Sequence, residues 1–481
     1  MEDLEKQSIA GGGVKISDGA DETSLRYMLK LAAPMVMNTV SFTIMQFVDR
    51  VMVSRLGTDA LAAILPAGVV SFLPTSFAAG AMTSLNTFVS QSLGRGNRED
   101  CSNYFWQMIY VGLAYFVVIL AIMWPTASWI FKAMGQPNDI IGMEVIYFRI
   151  MLYAHIVAII NYASTQFFVG VHRPAITLWA SLCGQAVNIG ANYLLIFGKF
   201  GFPRMEIAGA GWGTFIGIAV AAAINMAAFL SSQMNKNFMS RRIVKVNISK
   251  ARDLLKVGLP AGFGLTANVA LWGIVLLALV GRFGKEALAA TSAALSYTGI
   301  AVMPVVGIAM ALTAAVGKTI GEGKKDLAAK QTGVCLRIAL VYIGSIGLFF
   351  LLFRSSLMAF WSSDSKVVDL GVHILVCAAV YEVFHAARII YDGSLRGAGD
   401  TMWPAGVSAL GATIILGLGG LLIVKLFPAL GAVGPWIAAI FSMILVGLAN
   451  RWRFRSNRWM SIDLFKRPIP AVPVAPGAVG E

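Results

Sequence analysis

Charged residues are scarce in this sequence. They make up 13% of its 481 residues, against 57% that are hydrophobic, and the mean hydropathy is +0.73. A soluble domain carries roughly 25% charged residues. This scarcity excludes a soluble multidomain enzyme and indicates a membrane protein.

Motifs for catalysis and metal binding are also missing. The four cysteines, Cys101, Cys183, Cys335 and Cys377, do not have the spacing of metal ligands, so we expect no zinc site and no structural disulfide. The chain contains no HExxH, no P-loop and no paired-carboxylate signature. We therefore expect neither a catalytic residue nor a cofactor.

Long apolar runs recur along the chain, and each approaches the ~20 residues that cross a bilayer. Each is predicted to be an α-helix, because lipid offers no hydrogen-bond partner to backbone groups. The fold class is therefore all-α. The twelve predicted spans are approximately 28–53, 62–90, 104–124, 143–166, 174–198, 207–231, 256–281, 287–317, 335–353, 367–391, 404–427 and 431–450.

Basic residues are concentrated in alternate connections. The connection at 232–256 holds seven Lys or Arg residues and a single acid, Asp253. The positive-inside rule then places both termini in the cytoplasm, with the protein in the inner membrane. The tails at 1–26 and 452–481 are expected to be cytoplasmic, and the first lacks the basic start of a signal peptide. The net charge of +14 is explained by topology and anionic lipid, not by nucleic-acid binding.

The two halves of the sequence resemble each other. RLGTDALAA at 55–63 matches RFGKEALAA at 282–290, and SLGRGNR at 92–98 matches TIGEGKK at 319–325. Four glycine pairs share one offset of 227 residues: Gly57 and Gly284, Gly94 and Gly321, Gly96 and Gly323, and Gly170 and Gly397. A repeat of that length contains six spans.

An even number of spans means that both halves enter the membrane in the same direction. We expect two six-helix lobes, 27–231 and 256–451, joined by the basic linker 232–255 and related by a pseudo-twofold axis along the membrane normal. Such a transporter would hold its substrate between the lobes and work by alternating access. One chain already contains both lobes, so a monomer is expected.

Ionisable residues present in only one half are functional candidates, because both halves share the structural requirements. Asp49 lies within the first span, and the residue 227 positions later is Leu276. A carboxylate inside the membrane is costly unless it is paired or hydrated. The alternative is a structural pairing with Arg50 or Arg55 near the outer end of the helix.

An amide pair follows the same asymmetry. Asn188 and Asn192 are spaced i, i+4 and so share one face of the fifth span. The corresponding residues of the second half are Ile415 and Gly419. The first half alone therefore carries the carboxylate and both amides.

Five segments of the chain, at 31–57, 91–97, 188–203, 257–274 and 395–401, have the sequence of a known family. In them, and from about Tyr27 to Arg451, the chain resembles the MATE (multidrug and toxic compound extrusion) transporters. The resemblance implies a V-shaped pair of lobes that exports amphipathic, often cationic, compounds in exchange for protons or sodium. The segments that carry it are LAAPMVMNTVSFTIMQFVDRVMVSRLG at 31–57, QSLGRGN at 91–97, NIGANYLLIFGKFGFP at 188–203, VGLPAGFGLTANVALWGI at 257–274 and LRGAGDT at 395–401.

The resemblance implies roles for individual N-lobe residues. Asp49 matches the first-helix aspartate that takes up a proton or cation, and Asn188 and Asn192 match its fifth-helix partners. Thr214 matches a nearby hydroxyl. Pro34 matches a proline at which the first helix is proposed to bend, although a static kink is an equal alternative.

The C-lobe departs from the family pattern. Asn268 and His385 stand where sodium-coupled members carry acids, whereas Tyr381 is kept and Glu382 is added. Losing two acids removes ligands that sodium needs, so proton coupling is favoured over sodium coupling. Glu382 and His385 form either a second titrating pair in the cavity wall or a buried structural pair that includes Arg388.

Substrates are expected to be small organic compounds. Met35, Phe42, Met45 and Gln46 are available on the first helix to line the cavity, although methionines also pack lipid-facing helices. A proton reaching Asp49 would neutralise it, bend the helix at Pro34 and expel the substrate outward. A flippase for a lipid-linked precursor is the rival function, and it requires a cavity rich in Arg and Lys.

Overall fold

The computed structural model describes residues 22–270 and 275–465, and every regular element in them is helical. The α-helices are α1 Leu25–Ser54, α2 Thr58–Gly94, α3 Arg98–Ala133, α4 Asn138–Gly170, α5 Pro174–Phe197, α6 Glu206–Phe229, α7 Ser232–Phe238, α8 Ile248–Ala270, α9 Leu277–Val280, α10 Lys285–Gly321, α11 Lys325–Trp361, α12 Ser365–Gly397, α13 Met402–Leu410, α14 Gly420–Leu426 and α15 Val433–Arg455. A π-helical segment, Gly411–Gly419, joins α13 to α14 into one span.

Within the described residues, eleven helical segments are long and apolar enough to cross a membrane. The predicted span at 256–281 falls on α8 and α9, and its residues 271–274 lie outside the described residues. Most observed helices extend several residues beyond the apolar runs, since polar caps continue them into the interfaces. Ser24 and Asn97 show this, as their side chains accept hydrogen bonds from the first turns of α1 and α3.

The sequence repeat has a counterpart in the backbone. Gly57 and Gly284 precede α2 and α10 with φ of 115° and 97°, and both lie in a region that side chains rarely adopt. Gly96 and Gly323 form a second matched pair, with φ of 76° and 80°. The two six-helix lobes, α1–α6 and α8–α15, therefore use the same turns at equivalent positions.

The first helix contributes to both lobes. Tyr27, Met28 and Leu31, in the first two turns of α1, are buried in the hydrophobic core of the C-lobe. Val53, at the opposite end of the same helix, belongs to a core of the N-lobe. The α1 helix is thus fixed to different lobes at its two ends.

The lobes contact each other toward one side, here called the basic side, where α1 begins and α15 ends. Gly94 and Gly321 pack face to face there, because a Cβ on Gly94 would lie 2.0 Å from the Lys318 carbonyl oxygen. Thr87 donates a hydrogen bond to the Arg396 carbonyl at 2.8 Å, and the Gln91 amide donates to that of Gly397 at 2.9 Å.

The linker between the lobes lies against α3. Trp106 Nε1 donates to the Ser240 carbonyl at 2.9 Å, and the Tyr110 hydroxyl donates to that of Val244 at 2.6 Å. Gln107 both donates to the Lys245 carbonyl and accepts from the backbone N–H of Asn247. The basic linker is therefore an ordered segment held by hydrogen bonds to the N-lobe.

The chain after α15 stays on the basic side and touches both lobes. Trp459 is buried in the C-lobe core and stacks on Phe454, with ring centroids 5.2 Å apart. Asp463 forms an ion pair of 2.9 Å with Arg95, which follows α2 of the N-lobe. Phe465 packs against Phe88 of the same helix. This segment adds a second connection between the lobes on the side where they already meet.

The glycine contact predicts a stability effect. Replacing Gly94 by alanine places a methyl group against the Lys318 carbonyl, and overpacking of this kind costs about 1–3 kcal/mol. We expect Gly94→Ala to lower the midpoint of thermal unfolding, measured by tryptophan fluorescence in detergent.

Gly68→Ala, on the same helix, is the matched control. A Cβ at Gly68 would meet no atom of the described residues within 4 Å. Equal unfolding midpoints for the two variants would contradict the tight interlobe contact.

Candidate functional site

A cavity of about 600 Å³ lies between the two lobes. Its N-lobe wall is polar but uncharged and includes Asn38, Asn86, Asn161, Gln166 and Gln185. Apart from Tyr162 in the N-lobe wall, the ionisable side chains of the described lining lie on one helix of the C-lobe, α12, and are His385, Arg388, Asp392 and Arg396. The two walls therefore differ in chemistry although they share a fold.

A row of hydrogen-bonded side chains leads from the N-lobe wall to Asp49. Thr214 and Asn188 line the cavity, with the Asn188 amide nitrogen 3.5 Å from the Thr214 hydroxyl. Asn192 lies one turn further along α5, with its amide nitrogen 3.5 Å from the Asn188 side-chain oxygen. The same nitrogen donates to a carboxylate oxygen of Asp49 at 2.7 Å, which is the short contact of the row.

The row is enclosed by protein. Asn188 is 1% exposed and Asn192 fully buried, whereas Asp49 is half-buried and lies behind the cavity lining. The Asn192 side-chain oxygen has no hydrogen-bond partner among the described residues. A buried acceptor without a partner is uncommon in proteins, so this oxygen is available to a donor that arrives.

Close packing of α5 against α6 fixes these amides. Gly217 leaves room for Asn188, since a Cβ at Gly217 would lie 2.6 Å from the Asn188 Cβ. A Cβ at Gly213 would lie 2.0 Å from the Asn192 side-chain oxygen. Glycines at both positions let the two helix backbones approach closely.

The alternative interpretation of Asp49, a structural pairing with Arg50 or Arg55, is not observed among the described residues. Within the described part of the chain, no ion pair joins Asp49 to Arg50 or Arg55. Its hydrogen-bond partner is the amide of Asn192, which comes from a different helix.

The predicted C-lobe residues occupy both the wall and the interior. Asn268 and His385 line the cavity, whereas Glu382 is 2% exposed and lies behind the wall. The His385 Nδ1 and a Glu382 oxygen are 3.5 Å apart, and neither atom has a hydrogen-bond partner. The ring of Tyr381 lies beside His385, with centroids 5.1 Å apart, and is buried.

The candidates on α1 divide in the same way. Phe42 and Met45 line the cavity. Met35 is 1% exposed and packs between the lobes with Val169, so it cannot line the cavity in this conformation. Gln46 is exposed outside the lining, and Pro34 lies within the unbroken helix next to Met35.

Of the charged row on α12, sequence reasoning named Arg388 but missed Asp392 and Arg396. Arg388, Asp392 and Arg396 recur every four residues and so share one helix face. That spacing was the available signal, but Asp392 and Arg396 lie beyond the predicted span 367–391, and the observed helix α12 continues to Gly397. No cluster of His, Cys, Asp and Glu able to hold a metal occurs among residues 22–270 and 275–465.

The family profile MatE matches residues 34–194 and 261–419, one block in each lobe. The chain belongs to the MATE family. Members of this family are multidrug efflux transporters and not enzymes, and small organic compounds are their substrates.

Sequence relatives agree with this assignment. The chain is 28% identical over 439 residues to "Probable multidrug resistance protein NorM" of Chromobacterium violaceum, covering 88% of this chain and 92% of that one. It is 27% identical over 448 residues to the protein of the same name from Geobacillus kaustophilus, covering 92% and 97%.

Solved structures show the same fold. "Outward-facing conformation of a multidrug resistance MATE family transporter of the MOP superfamily" aligns with a TM-score of 0.83 at 19% identity, covering 92% of this chain and 99% of that one. A Pyrococcus furiosus transporter of that superfamily, described as having a binding pocket of reverse polarity, aligns with a TM-score of 0.84 at 20% identity. This alignment covers 93% of the present chain and 100% of the Pyrococcus furiosus chain.

The cavity lining predicts which side chains are accessible to water. With Cys183 and Cys377 replaced by serine, we expect Asn268→Cys to react rapidly with a charged, water-soluble maleimide in the purified protein. Met35→Cys is the matched test on α1, and we expect it to react far more slowly because Met35 is buried between the lobes. Equal labelling rates would contradict this placement of the cavity.

Proposed function

We propose that this MATE transporter is a proton-coupled antiporter of the inner membrane that exports amphipathic, often cationic, compounds. The hydrogen-bonded row from the cavity wall to Asp49 carries the proposal, because it links the substrate space to a carboxylate inside the membrane. Asp49 is the proposed coupling group, with Asn188, Asn192 and Thr214 as its partners.

Asn192 is suited to both protonation states of Asp49. Its amide nitrogen donates to the ionised carboxylate, as in the 2.7 Å contact. After rotation of the amide, its unpartnered oxygen could accept a hydrogen bond from the protonated acid. A partner for either form lowers the barrier to proton binding and release at a buried site.

Competition between proton and substrate supplies the exchange. A cationic substrate in the cavity stabilises ionised Asp49 by its charge, whereas a proton removes that attraction. Each ligand then weakens the binding of the other, since coupling of two equilibria is reciprocal. A proton arriving from outside would release the substrate outward.

The conformation described here fits the outward-facing step of such a cycle. The named interlobe contacts of Gly94, Thr87 and Gln91 lie toward the basic side, which we assign to the cytoplasm. Both termini then lie in the cytoplasm, and the protein acts as a monomer. Bending of α1 at Pro34 would change the orientation of the N-terminal end of α1, which is buried in the C-lobe.

Sodium is the alternative coupling ion. Sodium needs several hard oxygen ligands with net negative charge, and the C-lobe carries Asn268 and His385 instead of acids. The lipid-linked flippase remains less favoured, because the described N-lobe wall is uncharged and the α12 wall carries charges of both signs.

Separate ion gradients test the coupling. In proteoliposomes we expect dye transport to follow an imposed pH gradient and to ignore a sodium gradient. Asp49→Asn should abolish the pH-driven component, because an amide cannot bind and release the proton. Transport that follows sodium alone, or full activity in Asp49→Asn, would overturn the proposal.

A second variant tests the row without altering any of its polar groups. Gly213→Ala displaces the Asn192 side chain, whose oxygen lies 2.0 Å from the added Cβ position. We expect pH-driven transport to fall about tenfold, the effect of losing a hydrogen bond to a charged group. Gly190→Ala on α5 is the control, as a Cβ there meets nothing within 4 Å, and equal activity of both variants would contradict the role of Asn192.

A further inference from the structure

Arg388 is a buried cation in the cavity wall. It is 8% exposed and lines the cavity from the last third of α12. Its guanidinium has five N–H donors, and the single hydrogen bond it forms with described residues is a long one, 3.4 Å to the Ser408 hydroxyl. The Nε atom is buried and has no hydrogen-bond partner among the described residues.

The acids near Arg388 are engaged elsewhere. Asp392, one turn along the helix, forms an ion pair of 2.5 Å with Arg396. Glu382 lies behind the cavity wall with one oxygen 3.5 Å from His385 Nδ1, and it is six residues from Arg388, about 9 Å of helix rise. Within the described residues no carboxylate lies within ion-pair distance of Arg388.

Arg388 lines the cavity without a carboxylate partner among the described residues, and the planar fork of a guanidinium matches a carboxylate. We propose that Arg388 binds the anionic oxygen group, foremost a carboxylate, of an amphipathic substrate in the cavity. The inference deepens the proposed function and rests on its assignment of this cavity as the substrate site.

The rest of the cavity fits the remainder of such a molecule. Its N-lobe wall offers neutral amides and the apolar side chains of Phe42 and Met45. An aromatic compound with a carboxylate at one end can therefore place that end on α12 and its ring system against the opposite wall. A cationic group elsewhere on the same molecule makes it a zwitterion, which would still favour ionised Asp49.

A matched pair of dyes tests the inference by equilibrium binding. Rhodamine B carries a free carboxylate, and its methyl ester has the same ring system without that charge. We would measure both dissociation constants by fluorescence anisotropy on the purified full-length protein. Arg388→Gln should weaken binding of the free acid by about tenfold or more, the effect of losing a charge-assisted hydrogen bond, and change ester binding less than twofold.

Two further variants separate recognition from folding. Arg388→Lys keeps the charge and should recover part of the lost affinity for the free acid. Arg149→Gln removes an arginine that contacts Trp124 outside the cavity lining, and it should affect neither dye.

The other possible outcomes of the binding experiment would contradict the inference. Equal weakening of both dyes by Arg388→Gln would overturn the inference and assign Arg388 a structural role. Binding of the ester with no binding of the free acid would overturn it while leaving the proposed exporter intact. Failure of the wild-type protein to bind either dye would overturn both this inference and the proposed substrate site.

Discussion

The close contact of Gly94 with Gly321 is the constraint on which the arrangement of this MATE transporter depends. The two residues are equivalent in the sequence repeat, and they meet where the lobes approach each other. Because neither has a side chain, the helix ends α2 and α10 can pack backbone to backbone. Closure on that side leaves the cavity between the lobes, so the location of the cavity follows from this contact.

The repeat is symmetric in backbone but not in chemistry. The N-lobe contributes neutral amides and the Asp49 row, whereas the C-lobe contributes the charges of α12. A symmetric cavity would offer the same groups to both ends of a substrate. The proposed mechanism uses this asymmetry: the proton would bind in the N-lobe, and the charged groups of the C-lobe would recognise the substrate.

Much of this organisation was readable in the sequence. Eleven of the twelve predicted spans and the architecture of two pseudo-twofold lobes are confirmed, because apolar length and repeat offset determine them. The remaining span, 256–281, includes residues outside the described part of the chain. The i, i+4 spacing of Asn188 and Asn192 correctly placed both on one face. The position of Met35 was not readable, since α1 contacts both lobes and periodicity does not say which lobe covers a given face. The exposure of Arg388 to the cavity depends likewise on how α12 is rotated, a property set by tertiary packing.

The central claim is that Asp49 exchanges a proton for a substrate. Proton release on substrate binding is its most direct test. A cationic dye would be added to the purified protein in weakly buffered detergent solution that contains a pH indicator, near the pH at which half of the sites are protonated. The account predicts that the wild-type protein releases protons as the dye binds and that Asp49→Asn binds the dye without releasing any. Dye binding without proton release in the wild-type protein, or equal release from the variant, would contradict it.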